Sequence, residues 1–295
     1  MKSTVSLLCA LLALAAGCSR PASAPTESAP PPENRHALEG EIISVDTARH
    51  VLVVHHGEIE GLMPEMVMEF VVSPGDAANA KPGQRIRADL LPDDAGTFRL
   101  ENIWPVDPTA DDTIRAGADA LRQDTLIRGR SAYREVGENL PDFALYDQTG
   151  AVVQSARFRG KQIMLNFIYS RCPVATMCPA ATMKMMETQR LAKEAGVPNL
   201  ELISITLDPE YDTPGVLRDY AASHGIDTSN FSFLTGPERA IKDLLAQFGV
   251  IAEFEGGPII KHTLSTLLIN ANGRIVHRAD GTLWEPKDFV AKMRR

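Results

Sequence analysis

Residues 163–196 read IMLNFIYSRCPVATMCPAATMKMMETQRLAKEAG. The opening IMLNFIYS is a continuous apolar run, the pattern of a strand buried on both faces. AATMKMMETQRLAKEAG is rich in helix formers and stops at a glycine, which predicts a helix with an ordinary C-terminal cap. Between them lie Cys172 and Cys178, each followed by proline, with five residues intervening. Such a pair reads as a disulfide, a thiol redox couple or a soft-metal clamp, and the surrounding chain has to choose.

Downstream the same alternation repeats. LELISITL and FSFLTG read as buried strands, and TPGVLRDYAASHG and PERAIKDLLAQFG as helices. HTLSTLLINANGRIVHRADG predicts two strands joined by an Asn-Gly type turn, and EPKDFVAKMRR a closing helix. A β-α-β-α order followed by a hairpin and a helix is the plan of an α/β thioredoxin-like domain, here spanning residues 138–295.

Upstream the rhythm differs. Residues 1–17 have a basic start, a short apolar run and small residues, which predicts a secretory signal peptide rather than a spanning helix. The ending LAAGC predicts cleavage before Cys18 and lipidation of that cysteine, so that Cys9 is discarded and Cys172 and Cys178 are the thiols left. Residues 18–36, rich in Pro, Ser and Ala, read as a tether behind the anchor. Short alternating apolar runs over 37–107 predict a small all-β unit, an OB-like five-stranded barrel. Residues 108–137 read as a helical connector. The expected setting is the periplasmic side, with membrane attachment by lipid alone. With 30 Lys plus Arg against 38 Asp plus Glu, no basic surplus exists for nucleic acid.

An exported protein meets an oxidising compartment where a disulfide persists. The helix N-terminus at Cys172 and Cys178 is expected to favour thiolates. A soft-metal site needs a third donor, and His262, just before a predicted strand, is the best placed. Two thiolates and one imidazole suit copper. His277, on the second hairpin strand, reads as surface. In the barrel segment, HHGEIEGLMPEMVMEF sets Met63, Met66 and Met68 close together. Met66 and Met68 share one face of a strand, and a histidine lies ten residues upstream of the first. Thioethers with an imidazole select Cu(I) or Ag(I).

YSRCPVATMCPA, SITLDPEYDTPGVLRDYA and KHTLSTLLINANGRIV together resemble the Sco/SenC family of thioredoxin-like copper proteins. That resemblance implies copper ligation by Cys172, Cys178 and His262, and an acidic residue near the metal at Asp208. It also implies a task, copper delivery to the cytochrome c oxidase copper centre. One departure is the spacing: the family usually has Cys-x-x-x-Cys-Pro, and this chain carries two more residues. The methionine segment resembles the CusF-like copper-binding module, whose His-x-x-Ile and Met-Pro-x-Met-x-Met pattern falls on His56, Ile59 and Met63–Met68. It implies a second copper site at His56, Met66 and Met68. The module's tryptophan is replaced by Met63. Of Met177, Met183, Met185 and Met186, most are expected in a helix core, with Met177 the one near copper. Two other functions stay open: a thiol-disulfide oxidoreductase, with a thiol reductant and a copper-protein client as partners, and a copper-resistance sequestering protein. The Pro-x-x-x-Thr-x-x-Cys pattern of peroxiredoxins is not matched.

Overall fold

The structure, a computed structural model, describes residues 35–92, 96–129, 132–254 and 260–293. The expected signal peptide, the Cys18 lipidation site and nearly all of the tether lie outside these residues. Among the described residues no helix is long and apolar enough to cross a membrane.

Strands β1 (His36–Asp46), β2 (Val51–His56), β3 (Met66–Val71), β4 (Arg85–Pro92) and β5 (Phe98–Pro105) close a barrel in the order β1-β2-β3-β5-β4. The long β1 pairs with β2 on one edge and β4 on the other, with a register shift between Ile42 and Ser44 that bends it around the barrel. Leu38, Ile42, Leu52, Val54, Phe70 and Leu90 fill the interior. This matches the five-stranded expectation. A short helix α1 (Pro74–Asn79) between β3 and β4 was not foreseen; Ser73 caps it by accepting from the Asp76 N–H at 3.0 Å.

Helix α2 (Pro108–Arg128) follows, capped by Asp107 and led by proline. It ends earlier than the expected connector, because Gly129 turns the chain at φ 89°. Nor is it a bare spacer: Ala118 and Leu121 join the core of the second domain, and the Tyr146 hydroxyl donates to Asp111 at 3.0 Å.

The second domain is built on a seven-stranded sheet of order β14-β13-β8-β9-β10-β6-β7. Its strands are β6 (Ala144–Asp147), β7 (Val152–Gln154), β8 (Gln162–Ile168), β9 (Leu200–Thr206), β10 (Phe231–Thr235), β13 (Ser265–Ile269) and β14 (Ile275–Asp280). The central β8, β9 and β10 run parallel and are almost wholly buried, as their mostly apolar sequence requires. The helices are α3 (Cys178–Glu194), α4 (Pro214–Ser223), α5 (Glu238–Gln247) and α6 (Pro286–Met293). A separate hairpin, β11 (Ala252–Phe254) and β12 (Ile260–His262), stands outside the main sheet.

The barrel and the α/β domain meet where α1 packs on α4 through two glycines. A Cβ at Gly75 would lie 2.2 Å from the Gly215 carbonyl oxygen, and one at Gly215 would lie 1.9 Å from Asp76 Oδ1. Only glycine permits so close a backbone approach. Arg218 donates to the Ala78 carbonyl and to Asn79 Oδ1, and Asn79 in turn donates to the Gln148 carbonyl.

Candidate metal centre

Cys172 lies in the turn after β8, and Cys178 opens α3 with Pro179 behind it. His262 ends β12. The two Sγ atoms and an imidazole nitrogen lie within 4.8 Å of one another, with Cys178 Sγ 3.5 Å from His262 Nε2. His262 Nδ1 sits 3.3 Å from the Thr263 carbonyl oxygen, and donation there leaves Nε2 as a bare nitrogen facing the sulfurs. Both cysteines are free thiols and both are buried. Residues 84 positions apart in the chain meet because β8 and β13 are sheet neighbours. His262 stands just before β13 and the cysteines just after β8, at one end of the antiparallel pair.

The electrostatics differ from the expected helix-end thiolate. Cys178 is fully buried. Burial pushes its thiol well above the usual range, and the adjoining Cys172 adds to this. These outweigh a hydrogen bond from the Tyr169 backbone N–H, which acts the other way. Burial also holds His262 below the ordinary histidine range. The free site therefore holds Cys178 as a protonated thiol beside a neutral imidazole. A cation entering as a soft ligand-bound ion must displace thiol protons. The donor set itself, two sulfurs and an imidazole, suits Cu(I).

Asp208, expected near the metal, makes its hydrogen bonds to Arg171 and Thr206 among the described residues. Its carboxylate takes an ion pair from Arg171 at 2.7 Å, next to Cys172 in the chain, and the Arg171 guanidinium lies 4.4 Å from the Tyr211 ring centre. The carboxylate that grips the cysteine turn is Asp212, which sequence reading missed. It is fully buried and accepts from the Ser170 N–H at 3.1 Å, from the Ser170 hydroxyl, and from the Thr206 hydroxyl at 2.6 Å. Burial raises Asp212 to about 6 against these hydrogen bonds. Its only sequence signal was the block LDPEYDTP, in which two aspartates stand four apart and nothing distinguishes their roles. Tyr169 was also passed over, as one more apolar strand residue; burial pushes its phenol up to about 12, so it keeps its proton.

In the barrel, the β2–β3 register sets His56 directly opposite Met66 and Val54 opposite Met68. His56, Met66 and Met68 thus share a face at one end of the barrel. His56 is fully buried, with its ring edge-on to Phe70 and its Nδ1 2.7 Å from the Gly57 carbonyl oxygen. Its Nε2 is buried with no hydrogen-bond partner. An orphaned imidazole nitrogen beside thioethers is what a soft cation would complete. His55 points outward, 2.9 Å from Glu65, and Met63 packs against the barrel core.

Two expectations elsewhere need qualifying. Met185 is core, but Met183 is exposed on α3, so the methionine group is not uniformly interior. Met177 and Met186 are half-buried against the core. His277 is not a free surface residue: it is half-buried, its ring 5.1 Å from that of Phe289, because α6 packs beside β14.

Comparison with known proteins supplies the family. Residues 131–295 match the family model described as SCO1/SenC, and residues 35–105 match the model described as copper binding periplasmic protein CusF. A SCO1 protein homolog of Bacillus subtilis is 28% identical over 154 residues, covering 50% of this chain and 77% of that protein. A SCO2-like protein of Rickettsia conorii is 32% identical over 139 residues, covering 45% of this chain and 65% of that protein, which is less than two thirds of its length. The crystal structure of a SCO1/SenC family lipoprotein from Bacillus anthracis superposes with a TM-score of 0.51 at 24% identity, covering 56% of this chain and 98% of that one. The last likeness bears on the fold, which is thioredoxin-like. With more than half of its residues matched by the family model, and with that fold beneath them, the chain belongs to the SCO1/SenC family.

Proposed function

We propose that this is an exported copper protein that holds copper on Cys172, Cys178 and His262 and delivers it to the copper centre of cytochrome c oxidase. The observation that carries the reading is the convergence of two sulfurs and an imidazole nitrogen within 4.8 Å at one end of the β8–β13 pair of a thioredoxin-like sheet. Membership of the SCO1/SenC family supports the oxidase as client. The barrel takes up Cu(I) at His56, Met66 and Met68, which the orphaned His56 Nε2 supports. Cys18 is the lipid anchor after removal of residues 1–17, and the protein works on the periplasmic side of the membrane.

Within the second site the residues have separable tasks. The two sulfurs give up their protons and supply negative charge that matches a cation. His262 arrives on a hairpin outside the main sheet, so it can leave without disturbing β13. Asp212 keeps the turn carrying Cys172 closed against β9. The ordinary requirement for passing on a metal is that the ligands be exchanged one at a time, and a site at the end of a hairpin permits it.

A second reading is favoured by one observation: the two thiols are free and their sulfurs lie within 4.8 Å of each other. As a thiol-disulfide oxidoreductase, Cys172 and Cys178 would form a disulfide and pass two electrons and two protons to a partner's disulfide, which becomes two thiols. Copper titration of the purified protein, wild type against His262→Ala, tests the first reading. The expected result is a loss of affinity at the thiolate site on the order of 10–100-fold. Unchanged stoichiometry and affinity would sink the three-ligand site. Sensitivity of a deletion strain to copper with intact oxidase activity would point to sequestration instead.

A further inference from the structure

Among the described residues, Tyr169 is joined to all three donor residues of the cysteine–histidine site. Its carbonyl oxygen accepts from the Cys172 N–H at 3.3 Å, and its own N–H donates to the Cys178 sulfur. Its ring stands edge-on to the His262 imidazole, 5.5 Å between centres and 87° between planes. Its hydroxyl oxygen accepts from the Ile260 N–H at 3.3 Å. The side chain is almost fully buried.

Most of these contacts would survive with phenylalanine, since the backbone and the ring make them. The hydroxyl ties the two halves of the site, the cysteine side and the hairpin, by a hydrogen bond, beside the Cys178 Sγ to His262 Nε2 contact at 3.5 Å. One half is the cysteine turn, secured to the main sheet through β8 and Asp212. The other is the β11–β12 hairpin, which forms a separate two-stranded sheet. A lone two-stranded hairpin is marginal in water. This one is tied at its base by the Thr263 N–H to the Ile251 carbonyl at 3.0 Å and by the Ile251 N–H to the Thr263 hydroxyl at 3.1 Å. Ile260, two residues before His262, is where the Tyr169 hydroxyl grips it.

We propose that the Tyr169 hydroxyl is a positioning residue, a strap that holds the His262 hairpin against the cysteine turn and sets the distance between imidazole and sulfurs. It ligates nothing itself. An accepting lone pair for Ile260 is needed, and a phenol oxygen supplies it while its ring stays packed on His262. The proposal rests on the copper reading only for what the strap is for; the strap itself exists in the free protein.

The test compares wild type with Tyr169→Phe, which keeps the ring and removes the hydroxyl. In the copper-free protein, amide hydrogen exchange at Ile260 is expected to rise by about tenfold or more, while Leu267 and Leu268 in β13 keep their protection. Copper affinity is expected to fall by about tenfold. The sulfur-to-Cu(II) absorption band should shift, because the strap no longer sets the distance between the imidazole and the sulfurs. Unchanged exchange at Ile260 overturns the strap. So does an equal rise at Ile260, Leu267 and Leu268, which would mean general loosening of the fold. Released exchange with unchanged affinity and an unchanged band overturns the positioning role. If wild type takes up no copper, the copper reading fails by itself, and exchange at Ile260 still decides whether the strap is there.

Discussion

Asp76 stands at the seam between the two domains with 7% of its surface exposed. Its Oδ2 accepts from the Ser73 hydroxyl at 2.9 Å, and its Oδ1 is the atom that a Cβ on Gly215 would strike. Burial raises its pKa to about 7, with Asp219 and Glu101 adding to the rise and the Ser73 hydrogen bond opposing it. Unfolded, the carboxyl has its ordinary value of 3.8. The folded protein thus holds this proton more tightly than the unfolded chain does. Below pH 4 both are protonated and Asp76 costs nothing. Between about pH 4 and 7 the unfolded chain ionises first, so folding loses stability as pH rises. Above pH 7 the loss is complete, at about 4 kcal/mol for a shift of about three units. Asp76→Asn keeps an oxygen for Ser73 and removes the titration. The assay is urea unfolding of wild type and variant at pH 4.5, 6 and 8, followed by fluorescence of Trp104, whose ring lies 5.9 Å from Tyr146 of the other domain. The variant should gain on wild type by about 3–4 kcal/mol between pH 4.5 and pH 8. Asp212, also raised, leaves a residual slope in both proteins. A stability difference that does not change with pH would refute the reasoning, since it would mean that the Asp76 carboxyl is not desolvated by the seam.

Gly215→Ala inserts a methyl 1.9 Å from Asp76 Oδ1. It should cost about 1–3 kcal/mol in urea unfolding, with the change first visible at Trp104; an unchanged midpoint would mean that α1 and α4 separate freely. Asp212→Asn replaces one oxygen of a buried carboxylate by an NH₂ facing donors from Ser170 and Thr206. The expected cost is about 1–3 kcal/mol, with faster alkylation of Cys172 by iodoacetamide as the turn loosens; alkylation at the wild-type rate counts against Asp212 as its clamp.

Much of this architecture is legible in one dimension. The mostly apolar runs of β8, β9 and β10 require burial on both faces, hence a parallel sheet covered by helices. Gly129, Asn272 and Gly273 mark turns by their residue type, although the helical pattern after Arg128 masked the stop at Gly129. Helix α1 escaped notice because six residues are too few for a period to show. At the site, Cys172, Cys178 and His262 were readable because few side chains of those types exist in the chain and their chemistry is narrow. Asp208 and Asp212 were not separable, since both are aspartates in one loop and only the direction of their side chains differs. Both are buried: Arg171 pairs with one, while Ser170 and Thr206 hydrogen-bond the other.

Residue type and spacing alone showed which side chains are soft donors and which strands must be buried. Tertiary structure decided what state those donors are in. Burial overrides the helix end at Cys178 and keeps a thiol where local sequence argues for a thiolate. It also leaves His56 Nε2 without a partner and brings Gly75 onto Gly215. Desolvation depends on everything packed around a group, including residues remote in the chain such as Ile260 over Tyr169. No local pattern carries that information, because it arises only when the sheet has brought the distant segments together.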